Sequence, residues 1–142
     1  MTTGVRRNRM RAWIEALRSG EYRQGLKSLR QSSIKGGSSR FCCLGVAVDV
    51  YAKSTGLSPW HQTPGRQWTA FDMHSVLPKQ IREWFGLIDS DPVVLPSTDT
   101  VRYVSCVDAN DTNLWSFRKI ADALEKQYLA PGKKDKKVAA KS

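Results

Sequence analysis

The side chains best suited to covalent chemistry in this 142-residue chain are its three cysteines, Cys42, Cys43 and Cys106. An odd count with two adjacent members is a poor disulfide framework, so we expect reduced thiols. Cys42 and Cys43 precede an apolar run, and a thiolate at a helix N-terminus is stabilised by the helix dipole. A cysteine hydrolase also needs a histidine base, and His61 and His74 lie in an irregular segment. Buried thiols are therefore the favoured interpretation, and cysteine hydrolysis stays a minor alternative.

A metal site or a cofactor site has little support in the sequence. Adjacent cysteines lack the two-residue separation that lets neighbouring ligands reach one zinc ion. Gly36-Gly37 has neither the spacing of a phosphate-binding loop nor a Lys-Ser or Lys-Thr after it. Asp108, Asp111 and Asp122 lie around a predicted helix start, where carboxylates cap the helix and offset its dipole. We therefore predict no catalytic residue, no metal ligand and no cofactor.

Positive charge is concentrated at the two ends of the chain. The formal net charge is +10. Residues 1–40 contain ten Lys or Arg and two acids, and residues 131–142 contain five Lys and one Asp. The segment between them, residues 41–130, contains eight basic and ten acidic residues. This asymmetry is typical of basic arms that contact polyanions, although a Lys-rich tail is also a common solvated segment.

The basic side chains of the first 40 residues are mostly arginine, whose planar guanidinium pairs with phosphate and stacks on bases. The candidate nucleic-acid-binding residues are Arg6, Arg7, Arg9, Arg11, Arg18, Arg23, Lys27, Arg30, Lys35 and Arg40. If the first helix and the following hairpin pack side by side, these residues form one continuous stripe. The sequence therefore predicts salt-dependent, electrostatic binding of DNA or RNA without sequence specificity.

Three aromatic residues support an alternative function, the binding of a partner protein. Trp60, Trp68 and Phe71 lie in a Pro-containing segment, and tryptophan is a frequent anchor at protein interfaces. The same side chains would serve equally well to close one end of the hydrophobic core. Nucleic-acid binding is the favoured function, and protein binding is the alternative.

Apolar spacing predicts the elements that position these residues. The predicted helices cover residues 6–18, 44–55, 78–85 and about 117–128, the predicted strands cover 26–30, 40–44 and 101–107, and residues 57–76 are predicted to be irregular. Residues 1–130 thus form a single α+β domain, with about four helices packed on a short antiparallel sheet or hairpin. Residues 131–142 form a flexible Lys-rich tail. Since no apolar run approaches the roughly 20 residues of a membrane span, and no signal peptide precedes the domain, we expect a cytoplasmic protein.

Four short motifs resemble those of a known group of proteins. They are Phe-Cys-Cys-Leu-Gly-Val at residues 41–46, Leu-Pro at 77–78 with Trp-Phe-Gly-Leu at 84–87, Asn-Asp at 110–111, and Ser-Phe-Arg-Lys-Ile-Ala at 116–121. Together they resemble small uncharacterised proteins of bacteriophages, notably those of actinobacteria, and of their hosts. The similarity covers roughly residues 10–130, and the tandem cysteine is its most specific feature. The resemblance implies a phage origin and action in the bacterial cytoplasm, and it brings no assigned activity.

Overall fold

Five α-helices and seven short strands follow one another in the computed structural model, which describes residues 1–33, 38–94 and 104–129. The helices are α1 (Thr3–Arg18), α2 (Cys43–Thr55), α3 (Lys79–Phe85), α4 (Cys106–Asp111) and α5 (Phe117–Leu124), which continues into a π-helical turn (Glu125–Leu129). The strands are β1 (Arg23–Gln24), β2 (Arg30–Ser32), β3 (Ser39–Phe41), β4 (Trp60–Gln62), β5 (Gln67–Ala70), β6 (Val93–Val94) and β7 (Val104–Ser105). The predicted α+β class is confirmed. The Lys-rich tail predicted at 131–142 lies outside the described residues.

The helix ends follow local signals in the sequence. Helix α1 begins after Thr2, whose hydroxyl accepts a hydrogen bond from the Val5 N–H. Helices α2 and α3 end at Gly56 and Gly86, both in the left-handed conformation that glycine adopts without steric cost. The predicted helices at 6–18, 44–55 and 78–85 are therefore confirmed to within a few residues.

Helix α4 is not predicted by the sequence, and its first two residues fall at the end of the predicted strand 101–107. Strand β7 ends at Ser105, because the Ser105 hydroxyl accepts a hydrogen bond from the Asp108 N–H and starts a helical turn. The strand therefore ends two residues before its predicted end at residue 107, and the helix begins at Cys106. The first part of that predicted strand, residues 101–103, lies outside the described residues.

The larger sheet has the strand order β1-β3-β2-β5-β4. Strands β2 and β3 form a hairpin as predicted, but β2 begins at Arg30, where the strand predicted over 26–30 ends, and residues 26–29 are a loop. Strand β1 adds to β3 in parallel. The strand predicted over 40–44 ends at Phe41, because Cys42 is the N-cap residue of α2, which begins at Cys43. The prediction that residues 57–76 are irregular is wrong, since β4 and β5 form an antiparallel hairpin that pairs with β2. The smaller sheet joins β6 to β7.

Helix α2 is the centre of the fold, and most of its side chains are buried. Gly45 lies so close to the loop before β2 that a Cβ atom there would be 1.7 Å from the Leu29 carbonyl oxygen. Helix α1 packs across α2 and α5, with Trp13 and Ile14 fully buried between them. Within the described ranges, every helix is too short or too polar to cross a lipid bilayer.

Candidate functional site

The outer face of the five-stranded sheet is polar and lacks acidic side chains. Side chains alternate between the two faces of a strand, so residues paired in register share a face. The register aligns Arg23 with Arg40, Arg40 with Gln31, and Gln31 with Gln67. This row of four residues is hereafter called the outer row. Its two arginines and Gln67 are exposed, and none of the five strands contains Asp or Glu.

The two arginines of the outer row stand directly opposite each other on neighbouring strands. Like charges in this position destabilise a sheet, since the Cβ atoms of opposed residues are about 5 Å apart. Within the described ranges, neither Arg23 nor Arg40 forms an ion pair with an acidic side chain. The nearest partner of the Arg40 guanidinium is the Gln24 carbonyl oxygen, at 3.5 Å. Two exposed arginines without an acidic partner among the described residues therefore occupy paired positions on neighbouring strands.

The inner face of the same sheet is aromatic and surrounds Arg30. The Arg30 guanidinium lies 3.8 Å from the centre of the Trp68 ring and 5.2 Å from that of Trp60. Its Nε donates to the Ser39 hydroxyl at 2.9 Å. Burial lowers the pKa of this arginine from its usual value. The half-buried Arg30 is thus held by cation–π contacts on the aromatic face and does not share a face with Arg23 and Arg40.

The aromatic face is joined to α2 through one carboxylate. Asp49 accepts a hydrogen bond from the Trp60 indole N–H at 3.1 Å and one from the Tyr22 hydroxyl at 2.6 Å. Lys53, one turn along α2, lies 3.4 Å from the same carboxylate. This network fixes which side of the sheet faces the core. It therefore also determines that the outer row faces outward.

Three arginines of α1 contact other parts of the protein. The Arg9 guanidinium lies 4.2 Å from the centre of the Trp84 ring and donates to the Trp84 carbonyl oxygen at 2.7 Å. Arg7 donates to the Leu129 carbonyl oxygen at 3.2 Å. Arg6 lines a cavity of about 250 Å³ together with residues 87–89, 92–93 and 127–128. These side chains are directed towards α3 and the π-helical turn.

The charge of Arg18, the last basic residue of α1, is neutralised by two carboxylates, whereas, among the described residues, the charge of the exposed Arg11 is not. Arg18 forms a bidentate pair with Glu125 at 3.0 and 3.1 Å and also binds Asp122 at 2.6 Å. Hydrogen bonding to Glu125, and then to Asp122, raises the pKa of Arg18 above its usual value. Arg11 is exposed and donates to the Asn8 side chain at 3.0 Å.

The remaining two candidates lie in the loops of the sheet. The Lys27 side chain is exposed, and its backbone N–H donates to Asp111 at 2.9 Å. Lys35 lies outside the described residues. The candidates therefore differ in availability: Arg9 and Arg18 bind other groups of the protein, and Arg30 lies against the aromatic face of the sheet.

The three thiols are buried. Burial raises the pKa of Cys42, although this residue is the N-cap of α2. Hydrogen bonding with Cys106 and burial raise the pKa of Cys43, whose thiol donates to the Cys106 carbonyl oxygen at 3.4 Å. The effect of the helix dipole on the thiolate is thus outweighed by desolvation.

Both histidines are exposed. His61 is paired with Thr69 on the outer face of the sheet, and the His74 carbonyl accepts a hydrogen bond from the Leu29 N–H. Among the residues that the structure describes, no hydrogen bond joins a histidine to a thiol, and no group of three or more His, Cys, Asp or Glu could hold a metal ion.

Asn110 connects α4 to α2 and to β1, a structural role that the sequence pattern did not indicate. It is 0% exposed and makes four hydrogen bonds. Its side-chain oxygen accepts from the Cys43 N–H at 3.2 Å and from Gln24 at 2.8 Å. Its amide nitrogen donates to the Gly25 carbonyl at 2.9 Å and to Asp111 at 2.8 Å. Since Cys42 provides no side-chain cap, Asn110 satisfies the first turn of α2 from a distant helix and ties β1 to it.

The three aromatic candidates for partner binding have different environments. Trp60 and Trp68 are half-buried around Arg30, and the Trp68 indole donates to the Ser32 hydroxyl at 2.8 Å. Phe71 is 38% exposed and has a φ of 44°, and the next residue, Asp72, has a φ of 69°. The two form a tight turn of the type that favours Asn-Gly. A bulky aromatic residue in this conformation is strained.

The fold and these contacts define an α+β protein built on a small mixed sheet, with one aromatic face and one basic, acid-free face. Residues 6–128 match the family described as "Domain of unknown function (DUF8296)", and the chain belongs to that family. No curated protein and no solved structure is similar enough to the chain to count as a match.

Proposed function

We propose that the protein binds nucleic acid electrostatically, and that the outer row of the sheet is the centre of the contact surface. The observation that carries this proposal is the unneutralised pair formed by Arg23 and Arg40. A like-charge pair on an exposed sheet costs stability, and phosphate groups offset that cost while accepting the guanidinium hydrogen bonds. Following the phage resemblance, we also propose that the protein acts as an accessory protein in the bacterial cytoplasm.

Neighbouring groups extend the positive surface beyond the pair. Arg66, in the turn between β4 and β5, is exposed, and its carbonyl oxygen accepts a hydrogen bond from the Ser32 N–H. The turn therefore lies beside the end of β2. Gln31 and Gln67 contribute amide groups, which donate to phosphate oxygens without adding charge. Such a surface binds the backbone of nucleic acid, and it implies no base specificity.

The test is the salt dependence of binding to a fluorescein-labelled 20-base-pair DNA, measured by anisotropy between 50 and 200 mM salt. The double variant Arg23→Gln/Arg40→Gln is compared with Lys79→Gln/Lys126→Gln, which removes the same charge from exposed positions on other elements. Because each phosphate contact contributes about 0.9 to the slope of log K against log salt, the first variant is expected to flatten that slope by about 2. The control variant is expected to keep the slope of the unmodified protein. Absence of any salt-dependent binding by the unmodified protein refutes the proposal.

A second candidate, binding of a host protein, is favoured by the strained turn at Phe71. An exposed aromatic side chain that occupies a left-handed position at a cost in stability is a reason to suspect a contact outside the protein. Phe71→Asn removes the ring and relieves the backbone strain. If Phe71 serves a partner, this variant keeps its stability and loses a host protein that the unmodified chain retains at high salt. If Phe71 only packs on Tyr51, the substitution changes stability and leaves the set of co-purifying proteins unchanged.

A further inference from the structure

The described strands place no Phe, Tyr or Trp side chain on the outer face of the sheet. The strand residues on this face are Arg23, Arg40, Gln31, Gln67, His61 and Thr69. The aromatic residues of the strands, Phe41, Trp60 and Trp68, all lie on the opposite face around Arg30. Phe71 follows the end of β5 in a tight turn and packs on Tyr51, so it does not belong to the outer row.

We infer that this surface binds the backbone of a duplex in preference to a single strand. The inference rests on the proposed function and specifies its substrate. Tight single-strand binding combines phosphate contacts with aromatic side chains that stack successive bases, each worth about 1–3 kcal/mol, and the outer row contains no aromatic residue. A guanidinium pair with adjacent amides instead fits closely spaced phosphates whose bases are already stacked inside a helix.

The size of the outer row agrees with this preference. It crosses four strands, and three spacings of about 4.8 Å give a length of about 14 Å. Over that length a B-form duplex presents about eight phosphates, counted at one charge per 1.7 Å, and one of its strands presents about four. Without stacking, the affinity follows the density of phosphate charge. The duplex is therefore the stronger ligand for this face.

The experiment compares a 20-base-pair DNA with each of its two unstructured strands, at 50 mM salt and by the same anisotropy assay. The duplex is expected to bind at least tenfold more tightly than either strand. Arg23→Gln/Arg40→Gln is expected to lose most of that preference, and Lys79→Gln/Lys126→Gln is expected to retain it. Melting curves of both variants confirm that the fold is intact, which is expected because all four side chains are exposed.

The outcomes separate the inference from the proposed function. Equal or tighter binding of the single strands overturns the duplex preference and leaves nucleic-acid binding standing. Absence of binding to duplex and single strands alike overturns the proposed function itself. If Arg23→Gln/Arg40→Gln binds the duplex as tightly as the control variant does, the outer row is not the site, and both statements fail. An RNA duplex of the same sequence, measured in parallel, tests whether the preference for a duplex extends from DNA to RNA.

Discussion

Replacing Asn110 with alanine tests whether one buried amide holds the helices and the sheet together. The side chain makes four hydrogen bonds, two of them with the Cys43 N–H and the Gly25 carbonyl, which are both on buried residues. Removal of the amide leaves these two backbone groups without their partners. Gln24 keeps a second acceptor, the Trp115 carbonyl at 2.8 Å, so its loss is smaller.

The expected cost follows from the two orphaned groups. A buried polar group without a partner costs about 1–3 kcal/mol, so with two such groups Asn110→Ala is expected to lower the free energy of unfolding by about 2–6 kcal/mol. A loss of about 3 kcal/mol corresponds to a fall in Tm of roughly 10 °C for a domain of this size. Urea unfolding followed by tryptophan fluorescence measures the loss directly, provided that the m-value stays constant.

The matched control is Asn113→Ala, three residues later, where the asparagine is exposed. It is expected to change the free energy of unfolding by less than about 0.5 kcal/mol. If Asn110→Ala costs no more than this control, the amide does not cap α2, and the structural role that we assign to Asn110 is wrong.

Three further predictions concern the close approach of Gly45 to Leu29, the ion pair of Arg18 with Glu125, and the buried thiols. Gly45→Ala is expected to destabilise the protein by about 3 kcal/mol in urea unfolding, because its Cβ meets backbone, whereas Gly4→Ala has open space and is expected to stabilise α1 slightly. Arg18→Gln is expected to cost less than about 1 kcal/mol at pH 7. Hydrogen bonding to Arg18 lowers the pKa of Glu125, so the difference between the two proteins should shrink as the pH falls below 4.5, the usual value, and a constant difference contradicts the pairing. Burial raises the pKa of Cys42, so alkylation by iodoacetamide at pH 8 should be slow in the folded protein and fast in urea, and equal rates contradict the burial.

Local signals explain the parts of the fold that were predictable. The apolar spacing of α1 and α2, the N-cap Ser116 and the terminal glycines Gly56 and Gly86 act within one or two turns of the chain. Such interactions depend on neighbours in sequence, so a sequence pattern contains them. The hairpin of β4 and β5 has one local signal, the Pro64-Gly65 turn, in which Gly65 has a positive φ. Its strands are only three and four residues long, and β5 is stabilised by pairing with β2, more than 30 residues earlier.

The sequence by itself determined that the chain is an α+β domain with its positive charge at both ends, because composition and helical periodicity are properties of the chain alone. Tertiary structure decided which of the basic residues are available to bind a ligand. Arg9 and Arg18 meet partners 75 and 107 residues away, and Arg30 turns inward because register places it beside Trp68. Arg23 and Arg40 are opposed only because β1 joins β3 in parallel, a non-local pairing that no local pattern in the sequence specifies.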